Sequence, residues 1–141
     1  MGLTEADVKA LISEGILSAD YEEHEEAIEF YDKALKIMET AEIYLNKGIS
    51  LAELESYDNA IACYDKAIAL DANDSLIWYN KGVAFTQLER LDDALSSYEK
   101  AIEISPGYAD AWYNKGEILK HSGQDTQAEE CFSKVKELEG E

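Results

Sequence analysis

Three asparagines stand in one column of this chain: Asn46, Asn80 and Asn114, each 34 residues after the last. A side-chain amide carries two N–H donors and a carbonyl acceptor. It can therefore pair with a peptide unit whatever side chains that peptide bears. Beside the amides, in the same periodic phase, run Ile12, Ile16, Leu45, Ile49, Tyr79, Val83 and Tyr113. Such a surface suits a bound polypeptide, with amides for its backbone and apolar side chains for its own. Packed helices lie about 8–10 Å apart, and an extended ligand advances about 3.3 Å per residue. One amide per helix would then meet the ligand about every third residue. The competing use of the same residues is internal, with the amides bonding between neighbouring helices and Tyr79 and Tyr113 packing between repeats.

Other reactive side chains are few. His24 and His121 are the only histidines, and His24 lies among Glu22, Glu23, Glu25 and Glu26, where solvation is expected. Cys63 and Cys131 are too few for a disulfide framework or a zinc site. The repeat places no histidine to activate either. Asp71, Asn73 and Ser75 begin like a calcium loop, but Leu76 stands where the loop needs Gly and Gly82 where it needs the closing Glu. There is no glycine-rich phosphate loop. The expectation is a chain with no catalytic residue, no metal and no cofactor, and hence not an enzyme.

The elements that carry the column are set by the period. Trp78-Tyr79-Asn80-Lys81-Gly82 returns as Trp112-Tyr113-Asn114-Lys115-Gly116, and more loosely as Tyr44-Leu45-Asn46-Lys47-Gly48. Ala60, Ala94 and Ala128 keep the same step, as do Tyr64, Tyr98 and Phe132. Gly15, Ala27, Tyr31 and Ala34 form a first copy set 33 residues earlier, so one residue has been lost near Glu39-Thr40. This gives four repeats, 8–40, 41–74, 75–108 and 109–141, in a single domain spanning 1–141. Each repeat reads as two helices. Trp78, Gly82 and Phe85 recur at i, i+4, i+7, and Ala94, Leu95, Tyr98, Ala101 and Ile102 mark a second apolar face. Ser105-Pro106-Gly107, Asp71–Asp74 and the surroundings of Glu89-Arg90 and Gly123 interrupt the pattern. Gly82 is expected opposite Ala94, letting the two helices approach, with Trp78 and Tyr98 filling the space on either side.

The pattern resembles the tetratricopeptide repeat: Trp, two residues, Leu-Gly, two residues, Tyr, then Ala, an aromatic, Ala and Pro. The third repeat carries it as Trp78, Gly82, Phe85, Ala94, Tyr98, Ala101 and Pro106. The departures are Lys47, Lys81 and Lys115 in place of Leu, Ala72 in place of Pro, and Leu11 and Ser18 in a weaker first repeat. The resemblance spans essentially the whole chain. It implies an all-α fold, a right-handed superhelical α-solenoid of four helix-turn-helix hairpins whose concave face holds peptides or other proteins. On a wheel of about 100° per residue with Trp78 at zero, Gly82 and Phe85 fall within about 40° of it, whereas Tyr79, Asn80, Val83, Thr86 and Gln87 spread over roughly 80° to 200°. In the family that second side of the first helix lines the groove. The Lys47, Lys81 and Lys115 column falls on the opposite flank and is expected to snorkel toward nearby acids. The best-known subgroup clamps a C-terminal carboxylate of heat-shock chaperones with concave Lys and Arg. Here only Lys9, Lys120 and His121 lie on that side, toward the ends, so no such clamp is expected.

Composition narrows the partners. The 12 Lys and Arg are outnumbered by 31 Asp and Glu, for a net charge of −19. Nucleic acids and anionic membranes are therefore disfavoured, and a basic partner or plain solubility is favoured. The opening MGLTEADVKA lacks the basic and apolar runs of a secretion signal, and Ala6 breaks the myristoylation pattern. No apolar run has membrane-spanning length. A cytoplasmic location is expected. The paired aliphatics Ile28 and Leu35, Ile61 and Ile68, and Leu95 and Ile102 give way in the last repeat to Glu129 and Lys136, as at a capping end. Phe132 and Leu138 stay apolar there, which leaves room for weak self-association through the end helices of an otherwise monomeric chain. The expected function is a non-catalytic protein–protein interaction scaffold holding a peptide segment of another protein. Its alternatives are a self-associating assembly module and an accessory subunit docked by its acidic convex side.

Overall fold

The apolar spacing is realised as eight α-helices among the described residues, 2–140, of the computed structural model. They are α1 Glu5–Asp20, α2 His24–Ile37, α3 Ala41–Glu53, α4 Tyr57–Leu70, α5 Ser75–Gln87, α6 Leu91–Ile104, α7 Ala109–His121 and α8 Asp125–Leu138. No strand occurs among those residues. Residues 38–40 join α2 to α3, whereas 71–74 and 105–108 precede α5 and α7, so the lost residue falls where the sequence placed it. Among the described residues no helix is long and apolar enough to cross a membrane.

The starts of α1, α3 and α5 are closed by side chains that take up N–H groups the first turn leaves unpaired. Asp7 N–H donates to Thr4 Oγ1 at 3.3 Å, and Thr4 N–H donates to Asp7 Oδ2 at 2.6 Å, a reciprocal box at the head of α1. Thr40 Oγ1 accepts from Ile43 N–H at 3.2 Å, and Asp74 Oδ1 from Leu76 N–H at 3.0 Å. Ahead of α7 the fastening is different, with Trp112 Nε1 donating to the Pro106 carbonyl at 2.8 Å.

The first helix of each hairpin ends in one geometry. Glu22, Glu55, Glu89 and Gly123 all take positive φ, at 62°, 61°, 58° and 81°. The following N–H groups of Glu23, Ser56, Arg90 and Gln124 reach back to the carbonyls of Ser18, Leu51, Phe85 and Leu119 at 2.8–3.0 Å. This six-to-one closure satisfies carbonyls that the helix end would otherwise strand. Only Gly123 adopts it without a Cβ penalty.

Within each hairpin one contact recurs. The rings of Tyr31, Tyr64, Tyr98 and Phe132 lie on Gly15, Gly48, Gly82 and Gly116; a Cβ on any of these glycines would stand 2.4–2.6 Å from a ring carbon. The ring of Tyr98 therefore covers Gly82 itself, rather than filling space to one side of it. Ala27, Ala60, Ala94 and Ala128 are fully buried beside this contact column.

The chain divides into two compact units, Met1–Ala72 and Asn73–Glu141. In the first, α1 packs on α2, α3 packs on α4, α2 packs on α3, and α1 touches α3. Its core joins Val8, Ile12, Ala27, Tyr31, Ala34 and Ile43, with Leu35 packed against them. In the second, α5 packs on α6, α7 on α8 and α6 on α7. Leu119, Ala128 and Cys131 cluster there with Leu95, Trp112 and Phe132. Leu35 and Leu95 thus join clusters that include residues of the next hairpin's first helix. Glu129 and Lys136, in the equivalent columns of α8, are exposed. The lysine column behaves as snorkelling cations do. Lys47 Nζ pairs with Asp32 at 2.6 Å and Lys115 with Glu99 at 3.6 Å, while Lys81 and Lys115 lie over the Trp78 and Trp112 rings.

A candidate peptide-binding face

Each unit carries part of the stripe on its own first helices. In the first unit, Ile12 and Leu45 are buried at 8% and 7% exposure, and Ile12 belongs to the core. Ile16 is exposed at 39%, and Asn46 and Ile49 are half-buried. Ile12 and Leu45 thus underlie the face, and Ile16, Asn46 and Ile49 present it. Among the described residues the Asn46 side chain has no hydrogen-bond partner.

The second unit is more elaborate. Asn114 Nδ2 donates to the Tyr79 hydroxyl at 3.1 Å and to the Tyr98 hydroxyl at 3.4 Å. Thr86 Oγ1 donates to the Gly82 carbonyl at 2.9 Å and lies 3.2 Å from the Tyr98 hydroxyl. With the one Thr86 proton so placed, Tyr98 is the donor of that pair. The Tyr79 ring stacks on Tyr108 with centroids 4.9 Å apart and tilts against Tyr98 at 5.8 Å. The network ties α5, α6 and α7 together. Asn80 is outside it, its Nδ2 donating to the Leu76 carbonyl of its own helix at 2.9 Å. Tyr113, 48% exposed, tilts against Phe132 at 5.7 Å. Burial pushes the Tyr79 and Tyr98 hydroxyls above the usual phenol range, partly offset by their hydrogen bonds. Tyr108 is pushed up to about 12, first by burial and then by Tyr79, Asp110 and Asp74. All three therefore stay neutral near pH 7.

Beside this network opens a cleft of 660 Å³. Val83, Leu91, Tyr98 and Ile118 form its apolar wall; Thr86, Gln87 and Asn114 its neutral polar edge; and Glu89, Glu117 and His121 complete it. No Lys or Arg lines it, and neither glutamate is in an ion pair among the described residues. Val83 and Asn114 come from the stripe read in the sequence, whereas Tyr79, Asn80 and Tyr113 stand outside the lining. Leu91 and Ile118 were not legible, because one starts a second helix and the other is on a side of α7 that faces α5 and α6 only in three dimensions. His121 is the one groove-side cation candidate that reaches the cleft.

His24 is not simply solvated: it is half-buried, and its Nδ1 lies 3.5 Å from Oγ of the buried Ser50 on α3. The packing of α2 on α3 brings the first turn of α2 there despite its glutamates. Cys63 and Cys131 are buried free thiols, and burial pushes both above the usual thiol range, so little reactive thiolate forms.

Residues 45–109 match one family model described as tetratricopeptide repeat, and residues 97–130 match another. The chain belongs to the tetratricopeptide repeat family. Among solved structures, the crystal structure of MamA is 27% identical with a TM-score of 0.91, covering 95% of this chain and 79% of that one. MamA from Desulfovibrio magneticus RS-1 is 25% identical with a TM-score of 0.87, covering 96% and 77%. YrrB, described as a TPR protein with an unusual peptide-binding site, is 27% identical with a TM-score of 0.82, covering 95% and 70%. No curated protein matches the sequence. The tetratricopeptide fold is all-α and built of helix-turn-helix repeats, and membership makes the chain a protein–protein interaction scaffold.

Proposed function

We propose that this chain is a non-catalytic scaffold that holds a peptide segment of a partner protein against the stripe of its first helices. The cleft between α5, α6 and α7 carries the reading. It combines an apolar wall with polar groups on a rigid frame, the composition a peptide site needs. Asn114 has both N–H donors engaged and presents its Oδ1 to a ligand, whereas Asn80, with one N–H bonded to Leu76, presents its Oδ1 and its second N–H. The amide column then serves as a set of acceptors for backbone N–H groups. In the first unit the corresponding surface is Ile16, Asn46 and Ile49. The similarity to YrrB supports the same reading. The four hairpins are taken as one tetratricopeptide domain, whose expected signature is a single cooperative melting transition.

Gln87 is exposed and lines the cleft, so Gln87→Trp would fill it without changing charge or core packing. Peptides selected from a random displayed library on the intact chain should bind the Gln87→Trp variant at least about tenfold more weakly, a loss of about 1.4 kcal/mol. Helix content by circular dichroism should be unchanged. Selected peptides that bind both proteins equally would remove the cleft as the site.

A further inference from the structure

We infer that the occupant of this cleft is a basic segment, one that presents Lys or Arg beside an aliphatic side chain; this rests on the peptide-binding reading above. Acceptors predominate among the polar groups of the cleft, whose donors are the exposed Gln87 amide and His121 ring. Asn114 spends its N–H groups on the two tyrosine hydroxyls and leaves Oδ1 free. The Thr86 hydroxyl proton is committed to the Gly82 carbonyl. Glu89 and Glu117 bring two carboxylates that no Lys or Arg of the lining accompanies and that are in no ion pair among the described residues; His121 is the one basic side chain in the lining. A Lys or Arg has only donors to offer, so it matches such a lining, whereas an acidic segment would meet two carboxylates with only the Gln87 amide and the His121 ring to donate to it. Val83 and Ile118 supply the apolar floor against which the stem of a long cationic side chain, or a neighbouring aliphatic, can lie. The excess of 31 acidic over 12 basic residues acts in the same direction at longer range.

The test uses three fluorescein-labelled peptides of one length with the same leucines, alternating with Lys, Gln or Glu. Each is titrated by fluorescence anisotropy into the full chain at pH 8 and at two salt concentrations. The Lys peptide should bind about fivefold more tightly than the Gln peptide, and the Glu peptide more weakly than either, with the spread shrinking at high salt. Glu117→Lys should weaken the Lys peptide about tenfold and reverse the ranking of Lys and Glu peptides. Glu129→Lys on α8 makes the same change in net charge outside the cleft and should shift the Lys peptide by less than about twofold. Equal affinity for the three peptides, each weakened by Gln87→Trp, would overturn the basic segment and leave the groove standing. Equal damage from Glu129→Lys and Glu117→Lys would overturn it too, because attraction would then be spread over the whole surface. Binding of no peptide, or binding indifferent to Gln87→Trp, would overturn the groove reading and this inference with it.

Discussion

Gly82→Ala is the sharpest probe of what holds each hairpin together. The added methyl carbon would stand 2.6, 2.8 and 3.0 Å from Cε1, Cδ1 and Cζ of Tyr98. Carbon atoms are comfortable at about 3.5–4.0 Å, so the ring must retreat by nearly 1 Å. It has little room to do so. Tyr98 is 1% exposed, and its hydroxyl is held at 3.2 Å from Thr86 and 3.4 Å from Asn114. Overpacking of this kind costs about 1–3 kcal/mol. Against that, Ala is favoured over Gly inside a helix by about 0.8–1.0 kcal/mol. The single variant alone therefore reads as a net loss of only about 0–2 kcal/mol, too blunt to decide the matter. A double-mutant cycle with Tyr98→Ala separates the two effects. Without the ring the clash is gone and the propensity gain remains, so Gly82→Ala should then stabilise by about 1 kcal/mol. The coupling energy should be about 1–3 kcal/mol. Urea denaturation followed by circular dichroism, with equal slopes across the four proteins, provides the measurement. A coupling below about 0.5 kcal/mol would refute the idea that ring-on-glycine contact sets the helix spacing.

Two further predictions concern the turn and the amide column. Glu55→Gly relieves a residue held at φ 61° and should raise stability by about 0.5–1 kcal/mol in urea melts, the left-handed penalty of about 1–2 kcal/mol less the extra freedom glycine gains when unfolded; a fall in the midpoint would mean the glutamate side chain is itself holding the turn. Asn114→Ala should cost about 1 kcal/mol, because it strips a partner from two tyrosine hydroxyls, while Asn80→Ala should change stability by less than about 0.5 kcal/mol. Equal effects of the two in thermal melts would contradict the different bonding of the two amides.

The helices were legible because the chain repeats itself. A column occupied by Gly15, Gly48, Gly82 and Gly116, with aromatics 16 residues further on in each case, leaves few ways to pack a hairpin. The reading still misplaced a detail, setting Gly82 against Ala94 with Tyr98 at the side, when the ring sits on the glycine. A helical wheel assigns a face to a residue but not the reach of its side chain, and a tyrosine reaches past its own column. The left-handed turn was less legible. Three of its four positions hold glutamate, a residue with no preference for positive φ, so the geometry is imposed by the closing hydrogen bonds of the hairpin rather than announced by residue type. The same limit applies to Ile12, which the wheel puts on the stripe and which is buried in the core of its own unit, where α1 touches α3. The cleft was half legible. Its α5 side follows from periodicity, whereas Leu91 and Ile118 join it only once α6 and α7 have packed.

The asparagine column shows why a repeat in sequence is not a repeat in role. Asn46 is unpaired, Asn80 bonds to its own helix, and Asn114 bonds across to two hydroxyls. The amides are chemically identical, so the difference comes from what surrounds each. Within its own unit Asn114 has Tyr79 one repeat earlier, whereas Asn46 has Ile12 in that place, which carries no hydroxyl. The Tyr79 hydroxyl thus makes Asn114 a strut between α5 and α7. The strut leaves Asn114 with an acceptor and no free donor, which under the proposed peptide-binding function favours a donor-bearing ligand. On that proposal, an aromatic that packs in the third repeat shapes recognition at the fourth.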